Sequence, residues 1–167
     1  MGAVEHDIFT DEIHPIDIVE TLAERRDWEF DRVGEDQIAM AVEGAWRTYS
    51  LTLAWSPADE TLRLICTFEM DPPADRRAEM AILLDKANDL MWTGCFTLWD
   101  EQKLMVYRYG LVLAGGAIAT AAQIDAMLRG AVQAAERFYP AFQLVGWGGD
   151  DAEAALSVAL SEAVGRA

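Results

Sequence analysis

The chain has 167 residues and carries 29 acidic against 13 basic side chains, which gives a formal net charge of −16. A chain of this length is typical of one domain that buries about 70% of its unfolded surface on folding. The sequence has no basic stripe of the kind that binds nucleic acid phosphates, and its negative charge disfavours an anionic membrane surface. We therefore predict one domain over residues 1–167 that binds neither nucleic acid nor membrane.

The sequence shows no targeting segment and no cysteine motif. Residues 1–11 have neither the basic nor the apolar part of a signal peptide, and no apolar run approaches the ~18 residues of a membrane span. We therefore expect a cytoplasmic protein. Cys66 and Cys95 lie away from any CxxC or Cys/His cluster and are expected to act as small buried apolar residues. A disulfide between them stays open, because sequence alone cannot place their Cβ atoms.

The first part of the chain predicts a helix and a hairpin after a polar start. Residues 1–12 are acidic and are expected to fray. A helix should begin near His14-Pro15, because proline at the first helical position lacks only an N–H that would have no helical partner. Its buried stripe comprises Ile18, Val19, Leu22 and Ala23. Two short runs, Trp28–Val33 and Gln37–Val42, flank a turn and predict paired strands.

The second hairpin has the clearest strand signal in the chain. Apolar residues alternate with polar or small ones along Trp46–Trp55 and Thr61–Met70, which is the period of a half-buried strand. A turn at residues 56–59 joins the two runs. Pro72-Pro73 ends the second run, because proline cannot donate to a strand ladder.

The central stretch predicts a helix that leads directly into a third hairpin. Apolar residues recur at three- and four-residue steps along Arg76–Trp92, which predicts one helical face of Met80, Leu83, Leu84, Ala87, Leu90 and Met91. Thr93-Gly94 interrupts that period. Cys95–Trp99 and Leu104–Tyr109 follow as two β-rich runs joined by a polar turn at residues 100–103.

Two further helices are predicted after this hairpin. The glycine- and alanine-rich segment 113–119 has neither the P-loop nor the GxGxxG pattern, so we interpret it as a plain turn. Thr120 and Gln123 form a capping box for a helix that Pro140 is expected to end. The buried face of that helix comprises Ile124, Leu128, Ala131, Ala135 and Phe138. A similar Asp150 and Glu153 pair begins a terminal helix over 150–164, which stops before Gly165 and has Ala155, Leu156, Ala159, Leu160 and Val164 as its apolar residues.

The predicted order is therefore α-β-β-β-β-α-β-β-α plus a terminal helix. Strands joined by short turns form antiparallel pairs, and helices spaced in this way are expected to gather on one face of the sheet. This is an α+β architecture.

Three short motifs resemble the YbjN family. They are Asn88 with Gly94-Cys95-Phe96, then Val106-Tyr107-Arg108-Tyr109, and then Phe138-Tyr139-Pro140. The resemblance covers Ile18 to Val145, so the terminal helix is extra.

The resemblance implies a bacterial sensory transduction regulator whose fold is similar to type III secretion chaperones, which are small acidic homodimers. On this basis we expect a non-enzymatic regulator or chaperone-like adaptor that binds a protein partner and forms a homodimer. The resemblance supplies no catalytic residues.

The residues themselves also give little support for an enzyme. His6 and His14 are the histidines, and neither belongs to an HExxH or paired Cys/His motif, so we expect no metal and no cofactor. His14 is interpreted as a helix-entry residue. The serines do not lie in a GxSxG elbow. The alternative hypothesis is a small-ligand-binding protein or an enzyme whose site is assembled from residues scattered along the chain.

The register of the third hairpin predicts a candidate binding surface. If Trp99 pairs with Leu104, one face carries Phe96, Leu98, Met105, Tyr107 and Tyr109 and should lie under the helices. The other face carries Cys95, Thr97, Trp99, Leu104, Val106 and Arg108, which is more apolar than a solvated sheet face normally is. We therefore predict Trp99, Leu104 and Val106 as a dimer or partner surface. The alternative is that the terminal helix folds over these residues within one chain.

Overall fold

The computed structural model of the chain describes residues 14–165, with side chains described as far as residue 161. The elements are α1 (Pro15–Arg25), β1 (Glu29–Arg32), β2 (Gln37–Glu43), β3 (Thr48–Ser56), β4 (Thr61–Glu69), α2 (Arg77–Asp89), β5 (Cys95–Trp99), β6 (Leu104–Val112), α3 (Ala121–Gly146) and α4 (Ala152–Gly165). This order confirms the predicted α+β arrangement. The predicted fraying of residues 1–12 lies outside the described residues, as does His6.

The strands form one six-stranded sheet in the order β1-β2-β3-β4-β6-β5, and all neighbours are antiparallel. Short turns make most of the connections, and α2 carries the chain from β4 past β6 to β5. Side chains along each strand alternate between two faces. We call the side under the helices the core face and the opposite side the open face.

The core face holds the hydrophobic core. Leu51, Leu64, Cys66 and Met105 are buried there beneath α1, α2 and α3. Aromatic rings join the sheet to α3: the ring centroids of Phe96 and Phe142 are 5.1 Å apart, and those of Phe96 and Phe138 are 5.8 Å apart. The predicted buried face of α3 is confirmed, because Ile124, Leu128, Ala131, Ala135 and Phe138 are all buried.

The start of α1 confirms the role predicted for His14. Its Nδ1 accepts a hydrogen bond from the Ile16 N–H at 3.1 Å, and Pro15 follows at the first helical position. The ring Nε2 lies 2.9 Å from Asp36 Oδ1, which joins the helix to the first hairpin. Both ring nitrogens of His14 are therefore used to hold the backbone and an adjacent turn.

The prediction that Pro140 ends α3 is wrong, because the helix continues to Gly146. Proline removes one helical hydrogen bond, the one that the Glu136 carbonyl would accept. Beyond Pro140 the side chains of Ala141, Phe142 and Val145 are fully buried against the rest of the core. Burial of this continuing apolar face stabilises the helix more than the proline destabilises it.

The terminal helix begins at Ala152, two residues later than predicted, and includes Gly165. Its first turn is capped by Asp151, whose Oδ1 accepts a hydrogen bond from the Ala154 N–H at 2.8 Å, rather than by Asp150. The Ala152 N–H donates to Glu79 Oε1 of α2 at 2.7 Å. Because Glu79 already accepts from the Ala152 N–H, the helix is capped by Asp151 instead of Asp150.

The two cysteines are free and lie on opposite faces of the sheet. Cys66 is buried on the core face, where burial raises the pKa of its thiol to about 12. Cys95 is exposed, so the prediction that both thiols are buried is wrong for this residue. Its position follows from the register: Cys95 pairs with Arg108, one residue out of phase with the buried Phe96 and Tyr107 pair.

We expect Leu83→Ala to lower the free energy of unfolding by about 2–5 kcal/mol, through lost burial and the cavity that remains. Leu83 is fully buried on α2. The matched control is Ile82→Ala on the same helix, where the side chain is 47% exposed, and its expected cost is below about 1 kcal/mol. Urea unfolding of both variants measures the difference. Equal losses would contradict the orientation of α2.

Candidate interaction surface

The family-like motifs meet at the joint between α2 and β5. The Asn88 side chain donates from Nδ2 to the Phe96 carbonyl at 3.0 Å, and its Oδ1 accepts from the Phe96 N–H at 2.7 Å. In an antiparallel ladder both backbone groups of one residue point to the same side. Phe96 therefore points both groups away from β6, and Asn88 occupies the place of a neighbouring strand.

Gly94 makes the same joint possible. Its φ is +78°, and a Cβ atom at this position would overlap the Tyr107 ring. The Tyr107 hydroxyl donates to the Thr93 carbonyl at 3.1 Å, and burial raises the pKa of this phenol. The motif residues thus have structural roles, and Asn88 also blocks part of a sheet edge that could otherwise pair with another strand.

The open face carries the surface predicted from the third hairpin. Trp99 pairs with Leu104, as expected, and Val106 lies between Thr97 and Thr67 on the neighbouring strands. Val106 is 0% exposed although it lies outside the buried core cluster. Trp99 and Leu104 are half-buried and bound this apolar area. The structure thus places the three residues on one face.

The alternative in which the terminal helix covers these residues is wrong. Helix α4 packs against α2 and α3 on the core-face side, where Ala155 and Ala159 are buried. Arg76 strengthens this packing by donating to the Val145 carbonyl at 2.7 Å and to the Asp150 carbonyl. Within the described residues, the helices lie on one side of the sheet and leave the other side open.

A shallow groove of about 580 Å³ lies at the far end of the sheet, over β1, β2 and β3. On the open face it is lined by side chains that are small or acidic: Glu29, Asp31, Ala39, Ala41, Ser50 and Thr52. The open face therefore has a small-residue half over β1 to β3. Its other half carries the larger side chains of β4, β6 and β5.

A second cleft of about 580 Å³ lies at one end of the sheet, beside the C-terminal end of α3. Its charged side chains already have partners: Lys103 Nζ lies 3.6 Å from Asp71 Oδ2, and Arg47 Nη1 donates to the Glu69 carbonyl at 3.1 Å. Trp147 lines the same cleft and is 51% exposed. The cleft could admit a small molecule, but its charges are arranged in pairs rather than directed at one point.

A buried polar cluster ties α3 to the turn between β2 and β3. Glu136 Oε1 accepts from the Ala45 N–H at 2.7 Å, and a Cβ atom on Gly44 would overlap this carboxylate. Burial, followed by the nearby Glu136 charge, raises the pKa of Tyr49. Three polar atoms of this cluster are buried without a hydrogen bond: Tyr49 Oη, Glu136 Oε2 and Arg47 Nε. The tyrosine hydroxyl and the arginine N–H can donate, and the carboxylate oxygen can accept. We interpret this cluster as a packing contact between helix and turn.

Two further observations concern the part of the chain over 14–165. No three His, Cys, Asp or Glu side chains in this part lie together as a metal-binding group. None of its helices is both long enough and apolar enough to cross a membrane.

Comparisons with known proteins agree on one family. The YbjN family model, described as "putative bacterial sensory transduction regulator", matches residues 15–144. The crystal structure of YbjN from E. coli, described as "a putative transcription regulator", is similar with a TM-score of 0.52 at 13% sequence identity. The similarity covers 73% of this chain and 86% of that chain, and at this identity it shows the fold. No curated protein matches the chain.

Replacing Asn88 tests the joint. Asn88→Ala leaves the Phe96 N–H and carbonyl without their partner, so we expect a loss of about 1–3 kcal/mol in the free energy of unfolding. The Phe96 amide should also exchange with solvent faster, which hydrogen-exchange NMR measures. Asp89→Ala, at the exposed next position, is the control and should change neither quantity. Unchanged exchange at Phe96 in Asn88→Ala would contradict the proposed role.

Proposed function

The chain belongs to the YbjN family, and from this premise we propose that it is a non-enzymatic regulator that acts by binding proteins. In this proposal it is a chaperone-like adaptor that forms a homodimer and captures a protein partner. The observation that carries the proposal is the open face, where apolar side chains of three strands lie together without a covering helix in the described residues.

The composition of this face supports binding rather than solvation. Strands of an antiparallel sheet with one solvated face normally alternate apolar and polar residues, so that the solvated face is polar. On β3 the outward residues Thr48, Ser50 and Thr52 follow this pattern. On β6 the first two outward positions are instead Leu104 and Val106, with Trp99 beside them on β5 and Arg108 next along β6. Aromatic and aliphatic side chains grouped in this way are characteristic of protein interfaces.

The roles of the polar side chains also favour an adaptor over an enzyme. His14 caps a helix, Asn88 pairs with a strand, and Glu136 holds a turn. Each of these side chains is used to fix the fold, so the open face remains the better candidate for function. We further propose a cytoplasmic location, since Cys66 and Cys95 are both free thiols, as is usual in a reducing compartment.

Leu104→Glu tests the proposal. A charge at the border of the apolar area should oppose burial against another protein, so we expect a folded monomer or loss of partner capture. Light scattering measures the mass, affinity capture from the native cell measures the partner, and circular dichroism reports the fold.

The control for this experiment is Ile82→Glu, which adds the same charge at an exposed position on α2 and should change neither mass nor capture. Leu104→Thr, which suits a strand and carries no charge, covers the case in which the glutamate variant unfolds. A folded Leu104→Glu variant with unchanged mass and capture would remove the open face from the proposal.

A further inference from the structure

We infer that the open face binds a second copy of this chain, with the two sheets packed face to face about a twofold axis that runs along the strands. This inference rests on the proposed function and specifies its dimer. The axis lies between β3 and β4, so β1 of one protomer faces β5 of its partner. In the same way β2 faces β6, and β3 faces β4. Sheets packed in this way keep their strands nearly aligned and lie about 10 Å apart.

The sizes of the outward side chains are complementary in this arrangement. The strand register places Ile65 in one row with Arg108 and Thr52, and Val106 in the next row with Thr67. Reversing the strand order about the axis puts Ile65 opposite the partner's Thr52 and Arg108 opposite the partner's Ala39. Large side chains of this row then meet smaller ones across the interface, which favours close packing of the two sheets.

The groove over β1 to β3 supplies the space for this packing. It has a volume of about 580 Å³ and lies over Ala39, Ala41, Ser50 and Thr52 on the open face. In this arrangement the partner's Ile65 and Arg108 lie over Thr52 and Ala39 of the groove, and Leu104 lies outside it, opposite the partner's Glu43. Because the axis exchanges the two halves, each protomer both supplies a groove and fills one, so the surface is self-complementary as a twofold interface must be.

Arg108 and the acidic residues of β1 are complementary in the same sense. Glu29 and Asp31 lie on β1, and Arg108 lies on β6 near the opposite edge of the sheet. None of the three forms an ion pair with another residue of the described chain. In the proposed dimer Arg108 lies opposite the small side chain of Ala39 and beside the partner's Asp31.

This charge pairing requires two chains. Asp31 and Arg108 lie in one row of the sheet and are separated by four strand spacings, or about 19 Å at about 4.8 Å for each spacing. That distance is beyond the reach of an arginine side chain within one protomer. A charge-reversal effect between these two positions would therefore report an intermolecular contact.

The area of the face is sufficient for a stable dimer. Five spacings of about 4.8 Å across the sheet and about 30 Å along a nine-residue strand give roughly 700 Å² of projected area. Standard interfaces bury about 800 Å² on each partner, and the relief of the side chains adds to the projected value.

The test uses two charge-reversal variants. Each variant should repel a second copy of itself, and each should compensate the charge change in the other. Arg108→Glu and Asp31→Arg should each form monomers, because each places like charges together at both ends of the interface. An equimolar mixture of the two should form a heterodimer, since the introduced glutamate then faces the introduced arginine and the native pair is kept at the other end. Analytical ultracentrifugation of each variant and of the mixture should show the mass doubling only on mixing.

Matched controls and a second pair of variants complete the design. Lys86→Glu and Asp85→Arg make the same charge changes on exposed positions of α2 and should remain dimeric. If a reversal variant does not fold, Arg108→Gln and Asp31→Asn should each weaken the dimer without repulsion. A wild-type dimer that both reversals leave intact would overturn this interface while leaving a dimer through another surface open. A monomeric wild type would overturn the homodimer itself. Binding of a different protein through Leu104 would then be tested by the affinity-capture experiment alone.

Discussion

The structure depends on one constraint: a wide antiparallel sheet is covered by helices on a single face. Hairpins make every strand connection except the one through α2, and a short turn leaves no chain with which to cross to the other side. Helices α1, α2 and α3 therefore gather over the same face, and α4 adds a further layer to them. The open face follows from this connectivity, and the proposed function places protein binding on its apolar residues.

The single crossover has to be fixed precisely enough to set the register of the last hairpin. Asn88 does this by pairing with both backbone groups of Phe96, while Gly94 lets the Tyr107 ring pack closely over the turn. A slip of one residue in β5 would exchange Phe96 with Cys95 and move the apolar side chain out of the core. The same joint that positions the core thus also decides which residues form the open face.

These roles explain what the family motifs represent. Asn88, Gly94 and Phe138 are required by the fold, so they identify the family without identifying a partner. The residues of the open face are free of that requirement.

The sequence by itself determined the elements and the two faces of the sheet, because local periodicity decides both. Alternation along β3, β4 and β6 set which residues point to the core, and the Trp99 and Leu104 pairing followed from the length of one turn. Only the tertiary structure decided features that depend on distant contacts. Pro140 lies inside a helix because the apolar face beyond it is buried, and Val106 lies beside Thr67 because β6 pairs with β4, a pairing between strands that are distant in sequence. The position of α4 likewise depends on Glu79 and Arg76, far away in the chain, and that position is what leaves the open face uncovered.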